Sequence, residues 1–259
     1  MPIRFSSKPG LVAYLTAGDP DLAATRDIAL AAIDAGADVL ELGVPFSDPV
    51  ADGPVIQRAS ERAVANGTTL SDVLALAADI RRERPNAGIF LFSYYNPILR
   101  YGLERFCAAA EAAGADGVLV TDLIVEEATD YLELMHRHHL APVFLAAPTS
   151  PDARLERIAA ASQGFVYAIS RVGITGTQQQ LASDAESLVT RLRRYTDLPI
   201  AVGFGVSNAD HFAAVGEFAD AAVVGSAIVA TIEQAGREQA PSSIARFITG
   251  LRQSSLQAR

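Results

Sequence analysis

Lysine occurs once in this 259-residue chain, at Lys8, and cysteine once, at Cys107. A single cysteine excludes an internal disulfide and a metal site built from thiolates. Lys8 precedes the first expected strand, so no strand lysine is available as a Schiff base. Basic runs are also missing and the formal net charge is −9, which argues against nucleic acid or an anionic membrane as partner. No apolar run reaches the roughly 18 residues that a membrane span requires. The opening stretch MPIRFSSKPG lacks the apolar centre of a signal peptide, so the expected location is cytoplasmic. Of the four histidines, His136, His138 and His139 crowd one expected helix end and His211 sits on another. That placement suits a solvated basic helix end better than a metal site.

What is present is the balance of an ordinary soluble globular protein, 50% hydrophobic and 20% charged. Apolar strand-like segments alternate with alanine-rich helical ones, from Val12–Thr16 and Leu22–Ala35, closed by Gly36, to Ala221–Val224 and a helical tail from about Ser242. The fifth strand is expected at Val143–Ala146. About eight strand–helix units result, the count of an α/β protein of the (β/α)8 TIM-barrel type. No linker divides residues 1–259, so one domain is expected. An open doubly wound sheet shares the same alternation. A weak echo runs through the pattern: AGAD precedes a strand at Ala35–Asp38 and at Ala113–Asp116, and Phe218-Ala219-Asp220 precedes another.

The stretch Val39–Pro54, VLELGVPFSDPVADGP, is the most unusual. It begins as a strand with Leu40 and Leu42 on one face and Val39, Glu41 and Gly43 on the other. It then breaks into a loop stiffened by Pro45, Pro49 and Pro54 and carrying Asp48 and Asp52. Glu41 and Asp52 fit an acid–base pair at the carboxyl end of a barrel strand, and Glu41 also fits a paired structural carboxylate. Glycines recur at the ends of the last three strands: Gly176 in the loop from Arg171, Gly203 and Gly205 after the seventh, and Gly225-Ser226 opening a helix after the eighth. Close backbone approach and a helix N-terminus suit a phosphate there, although tight turns alone would also use glycine. Without a Schiff-base lysine or a histidine-bound metal, the chemistry left is proton transfer by carboxylates on a phosphorylated substrate.

Seven segments, in order, resemble the alpha-subunit family of tryptophan synthase: LTAGDPD (Leu15–Asp21), ELGVPFSDPVADGPVIQRA (Glu41–Ala59), SYYNPILRYGLERF (Ser93–Phe106), ADGVLVTDL (Ala115–Leu123), SRVGITG (Ser170–Gly176), GFGVS (Gly203–Ser207) and VVGSAIV (Val223–Val229). The resemblance implies cofactor-free cleavage of indole-3-glycerol phosphate to indole and glyceraldehyde 3-phosphate. By motif, Glu41 is the implied general acid–base group and Asp52 the acceptor for the indole N–H. Tyr167 is implied beside the reacting centre, Thr175 as the residue orienting Asp52, and Tyr14 and Ile169 in the indole pocket. Gly176, Gly205, Gly225 and Ser226 are the implied phosphate cradle. A pyridoxal-phosphate beta subunit is the implied partner in an α2β2 assembly, docking on Asp48, Pro49 and Asn96-Pro97-Ile98. The alternatives are a stand-alone lyase releasing free indole, and a barrel that only activates the beta subunit. The chain departs from the family in having about ten residues before the first strand, where a helix usually covers the barrel floor. It also departs at Ile124, where proline is common, and at Gln178–Gln180, where arginine is.

Overall fold

The computed structural model describes residue 3 and residues 5–169, 178–203 and 205–257. Its strands are β1 (Gly10–Thr16), β2 (Val39–Gly43), β3 (Gly88–Ser93), β4 (Gly117–Val120), β5 (Ala141–Val143), β6 (Leu145–Ala146), β7 (Val166–Ile169), β8 (Ile200–Gly203) and β9 (Ala221–Val224). All pair in parallel, in the order β5-β4-β3-β2-β1-β9-β8-β7-β6. Both edges of that order belong to the expected fifth strand, which Phe144 interrupts. Its first half pairs with β4 and its second with β7, so the sheet comes round on itself as a barrel. The open-sheet alternative is thereby excluded.

Around the barrel lie α1 (Leu22–Asp34), α2 (Pro54–Ala65), α3 (Leu70–Glu83), α4 (Tyr95–Tyr101), α5 (Leu103–Ala112), α6 (Thr129–Arg137), α7 (Asp152–Ala161), α8 (Gln178–Leu192), α9 (Ala209–Phe218) and α10 (Ser226–Gln257). Local chemistry sets their ends. Asp21 caps α1 through the Ala24 N–H, and Thr69 and Asp72 close a reciprocal capping box on α3. Two helices go beyond the elements expected from the sequence. Asn96-Pro97 lies inside α4, because a proline in the first helical turn sacrifices only an N–H that has no intrahelical partner. The C-terminal tail is continuous with the helix opened by Ser226, broken only at Gly236 (φ +69°, ψ 173°).

Strand periodicity divides the core into two layers. Leu11, Leu40, Leu42, Ile89 and Leu91 face outward into the main cluster beneath the helices. Val12, Val39, Phe90, Leu119, Phe165 and Val223 point inward and fill the lower barrel. Ile3 and Phe5 pack against this inner cluster, and the Ile3 N–H donates to the Gly164 carbonyl at 3.1 Å. Those residues supply apolar cover at the floor.

The sequence echo has a structural meaning. Asp38, Asp116 and Asp220 each sit one residue before a strand and perform the same bonding. Each donates its N–H to the carbonyl of a residue in the preceding strand, Leu11, Ile89 and Ile200 in turn, at 2.9, 2.8 and 3.0 Å. Each side chain accepts the N–H of that same residue, at 2.8, 2.7 and 2.8 Å. An arginine completes each pin: Arg252 on Asp38, Arg81 on Asp116 and Arg193 on Asp220. Three strand pairs are thus held in register at their N-terminal ends. Asp116→Ala should cost about 1–3 kcal/mol in urea unfolding, because the Ile89 N–H and Arg81 lose their acceptor, and Asp116→Asn should cost less. Equal stability of the alanine variant and wild type would show that the pin does not hold the register.

Candidate active site

At the C-terminal ends of the strands a cavity of about 140 Å³ is lined by Tyr14, Glu41, Ile56, Phe92, Tyr167, Gly203, Gly205, Val206, Val223, Gly225 and Ser226. The inward parity of β1, β2, β7 and β9 places Tyr14, Glu41, Tyr167, Val223 and Gly225 there. Two glycines make room for the tyrosines. A Cβ at Gly43 would overlap the Tyr14 hydroxyl, and one at Gly203 would come within 2.8 Å of the Tyr167 hydroxyl. Tyr14 lies edge-on to Phe92, with ring centroids 5.1 Å apart. The result is an aromatic pocket with one carboxyl in its wall.

That carboxyl is Glu41, 1% exposed, and neither oxygen has a hydrogen-bond partner among the described residues. Among the described residues nothing pairs it as a structural carboxylate. Burial alone lifts it to about 8, so at neutral pH it carries a proton. Asp52, in the loop after β2, is raised less, to about 6; burial pushes it up and a hydrogen bond from Tyr94 pulls it back. Tyr94 donates to Asp52 Oδ2 at 3.1 Å and accepts the Ala51 N–H at 2.9 Å. Gln57 Nε2 donates to the Asp52 carbonyl at 2.9 Å, and Ser60 Oγ accepts the Phe46 N–H at 2.8 Å. The acidic loop is thus pinned from within the chain. Burial and the nearby carboxyls raise the Tyr14 and Tyr167 hydroxyls far above the usual tyrosine range, keeping both as neutral donors.

The structure brings Tyr14, Glu41, Tyr167, Gly205, Gly225 and Ser226 to one cavity. Asp52 stands off its lining, close enough for its charge to act on Tyr14 and Tyr167. Ile169 shares the inward face of β7 with Tyr167 but is not in the cavity wall. Thr175 and Gly176 lie outside the described residues. Sequence reasoning missed Phe92, Ile56 and Val206 in the lining, and Tyr94 as the anchor of Asp52. The SYYNP segment was the available signal.

Gly205 adopts φ +78° with open space where a side chain would project, and Gly225 and Ser226 stand at the N-terminus of α10. This wall presents close-approach backbone and the positive end of a helix, features that suit an anion. A larger cavity, about 920 Å³, opens at the barrel floor beside Arg81, Asp116, His136 and His139. Its arginine is already committed to Asp116 and to the Gly114, Pro85 and Ala87 carbonyls. Among the described residues, no cluster of histidine, cysteine or acidic side chains is arranged to hold a metal ion.

The model of one family, described as "Tryptophan synthase alpha chain", matches residues 3–255. The tryptophan synthase alpha chain of Solibacter usitatus is 52% identical over 232 residues, 90% of this chain and 86% of the relative. That of Chloroflexus aurantiacus is 45% identical over 249 residues, 96% and 94% of the two chains. Among solved structures, tryptophan synthase subunit alpha from Legionella pneumophila superposes with a TM-score of 0.88 at 34% identity, covering 96% of this chain and 93% of that one. A chain of the tryptophan synthase complex from Pyrococcus furiosus gives 0.84 at 40% identity, covering 94% and 98%.

The Glu41 burial carries a stability signature. Its folded value near 8 lies above the 4.5 of an unperturbed glutamate, so its contribution is intact below about pH 4.5 and is lost as pH rises to about 8. Relative to Glu41→Gln, wild type should lose on the order of 3 kcal/mol of unfolding free energy between pH 5 and pH 8. A pH-independent difference between the two proteins would mean that the carboxyl is charged in the fold.

Proposed function

The chain belongs to the tryptophan synthase alpha chain family, which serves tryptophan biosynthesis, and from that premise we propose that it cleaves indole-3-glycerol phosphate to indole and glyceraldehyde 3-phosphate. The observation that carries the reading is the split between two carboxyls at one site: Glu41 near 8 and Asp52 near 6. At neutral pH one is an acid and the other an anion, the division of labour the reaction needs. Neutral Glu41 gives its proton to C3 of the indole ring. The positive charge that develops on the ring nitrogen is met by Asp52, which accepts the N–H. Glu41, now a carboxylate, takes the proton of the glycerol hydroxyl attached to the bond that breaks. The carbonyl of glyceraldehyde 3-phosphate forms and the bonding electrons return to the ring. Glu41 ends as it began.

The aromatic lining of Tyr14, Phe92 and Tyr167 suits the indole, and the wall of Gly205, Gly225 and Ser226 suits the phosphate. The ring of the substrate serves as the electron sink, so the proposed chemistry asks no cofactor of this chain. On the same reading pyridoxal phosphate belongs to a beta subunit that receives the indole, as the family name and the Pyrococcus furiosus complex suggest. Exposed Val50, Leu99 and Ile124 support such a partner. They follow β2, β3 and β4, which are neighbours in the barrel, and so share one sector of its C-terminal rim. The Tyr94 tether on Asp52 supports a second reading, in which the isolated chain is competent and releases free indole. Cleavage assayed with and without the beta subunit separates the two.

Two variants and a pH profile test the chemistry. Glu41→Gln should lose cleavage by about 10²–10⁴-fold while remaining folded, since an amide cannot shuttle the proton. Near-normal turnover would remove Glu41 from the mechanism. For wild type, kcat/KM should be bell-shaped, rising as Asp52 ionises near 6 and falling as Glu41 loses its proton near 8. Substrate phosphate titrates in the same acidic region, so Tyr94→Phe is the discriminating variant. It removes the hydrogen bond that favours ionised Asp52 and should move the acidic limb upward, along with a several-fold loss of rate. An unmoved limb would assign it to the substrate.

A further inference from the structure

Behind the two halves of the site runs a chain of charges that the proton-transfer scheme does not use. Asp19, in the turn after β1, is 3% exposed. Both its oxygens are taken by Arg62, Nε at 2.8 Å and Nη2 at 2.9 Å. The remaining nitrogen, Arg62 Nη1, donates to Glu233 Oε1 at 2.8 Å. Arg58 meets the same carboxylate with Nε at 3.2 Å and Nη2 at 3.0 Å, and its Nη1 donates to the Pro54 carbonyl at 3.2 Å. Arg58 and Arg62 stand one turn apart on α2, and Glu233 stands on α10. One carboxylate thus accepts from two arginines of the neighbouring helix.

The geometry of the two helices gives this bridge its meaning. Helix α2 starts two residues after Asp52, contributes Ile56 to the cavity and holds the Asp52 carbonyl through Gln57. Helix α10 starts at Ser226, on the phosphate side of the same cavity. Glu233 follows Ser226 by two helical turns, about 10 Å along the axis, before the break at Gly236. Between those helices the cavity must accept a ligand anchored at both ends: ring N–H at the Asp52 loop, phosphate at the α10 N-terminus. We propose that Glu233 is a positioning residue, which through Arg58 and Arg62 sets the spacing between the Asp52 loop and the phosphate cradle and so places C3 of the ring at the Glu41 proton. The inference rests on the reaction proposed above. Each half of the site survives without the bridge; what is lost is their relative placement, which is worth rate rather than phosphate affinity.

The test compares wild type, Glu233→Gln and Glu233→Asp. Glu233→Gln keeps the shape but lacks the charge that holds both guanidinium groups. Three quantities are measured: kcat and KM for indole-3-glycerol phosphate, the affinity for glycerol 3-phosphate by calorimetry, and the melting temperature. Glu233→Gln should lower kcat about ten-fold while glycerol 3-phosphate affinity stays within about two-fold, and Glu233→Asp should recover part of the rate. A kcat within two-fold of wild type overturns the proposal. So does a parallel loss of phosphate affinity and rate, which would mean that Glu233 only supports the cradle. If wild type itself does not cleave the substrate, the proposed reaction fails rather than the bridge.

Discussion

An unpartnered carboxyl buried inside a closed sheet is the constraint around which this molecule is arranged. Glu41 would be stabilised by an arginine or a ring of N–H donors, and either would fix it as an anion. Among the described residues the barrel supplies neither. Aromatic rings and glycine backbone line the cavity around it instead, and burial disfavours the charged form. Such an arrangement is costly, and it persists because the apolar shell between barrel and helices is extensive and fully buried. The three aspartate pins keep their charges at the opposite end of the strands, paired with arginine and backbone donors, so none of them neutralises the field at Glu41.

The strand that carries Glu41 was legible because a period of two assigns faces without any knowledge of partners. Val39, Glu41 and Gly43 had to share a side, and the loop prolines marked where the strand stops. The aspartate echo was legible as a pattern, though not as bonding, since each pin reaches a backbone N–H some 20 to 27 residues earlier. The anchor of Asp52 was not legible. Tyr94 lies 42 residues away, and only the lateral pairing of β2 with β3 brings the two together. Asn96-Pro97, named in the sequence only as part of a docking segment, lies in a helix, because in a first turn proline does not interrupt the bonding. Ile169 had the right parity for the pocket, yet parity fixes only a face, not a depth along the strand.

The same limits apply to the glycine wall of the cavity. Gly205 and Gly225-Ser226 were recognisable as close-approach positions from composition, and β8 and β9 bring them side by side. What composition could not show is that the helix behind the wall is bolted to the helix behind the acidic loop. Ion pairs between elements 171 and 175 residues apart leave no local trace in a sequence. The site is therefore a meeting of two loops whose separation is set outside the pocket, on the side away from the substrate.

The interruption at Phe144 makes the ring of strands unequal. β2 pairs with each neighbour at five positions, but β5 meets β4 at three, and β6 meets β7 and β8 meets β9 at two each among the described residues. Cooperativity around a closed sheet is only as strong as its thinnest junction, and local opening starts where the fewest ladder bonds must break. The barrel accordingly has a seam. It takes in both sides of the β7–β8 pair, and β7 carries Tyr167, so the first excursion from the native state would loosen one wall of the pocket while Glu41, on the fourth strand from the β5 edge, keeps its burial.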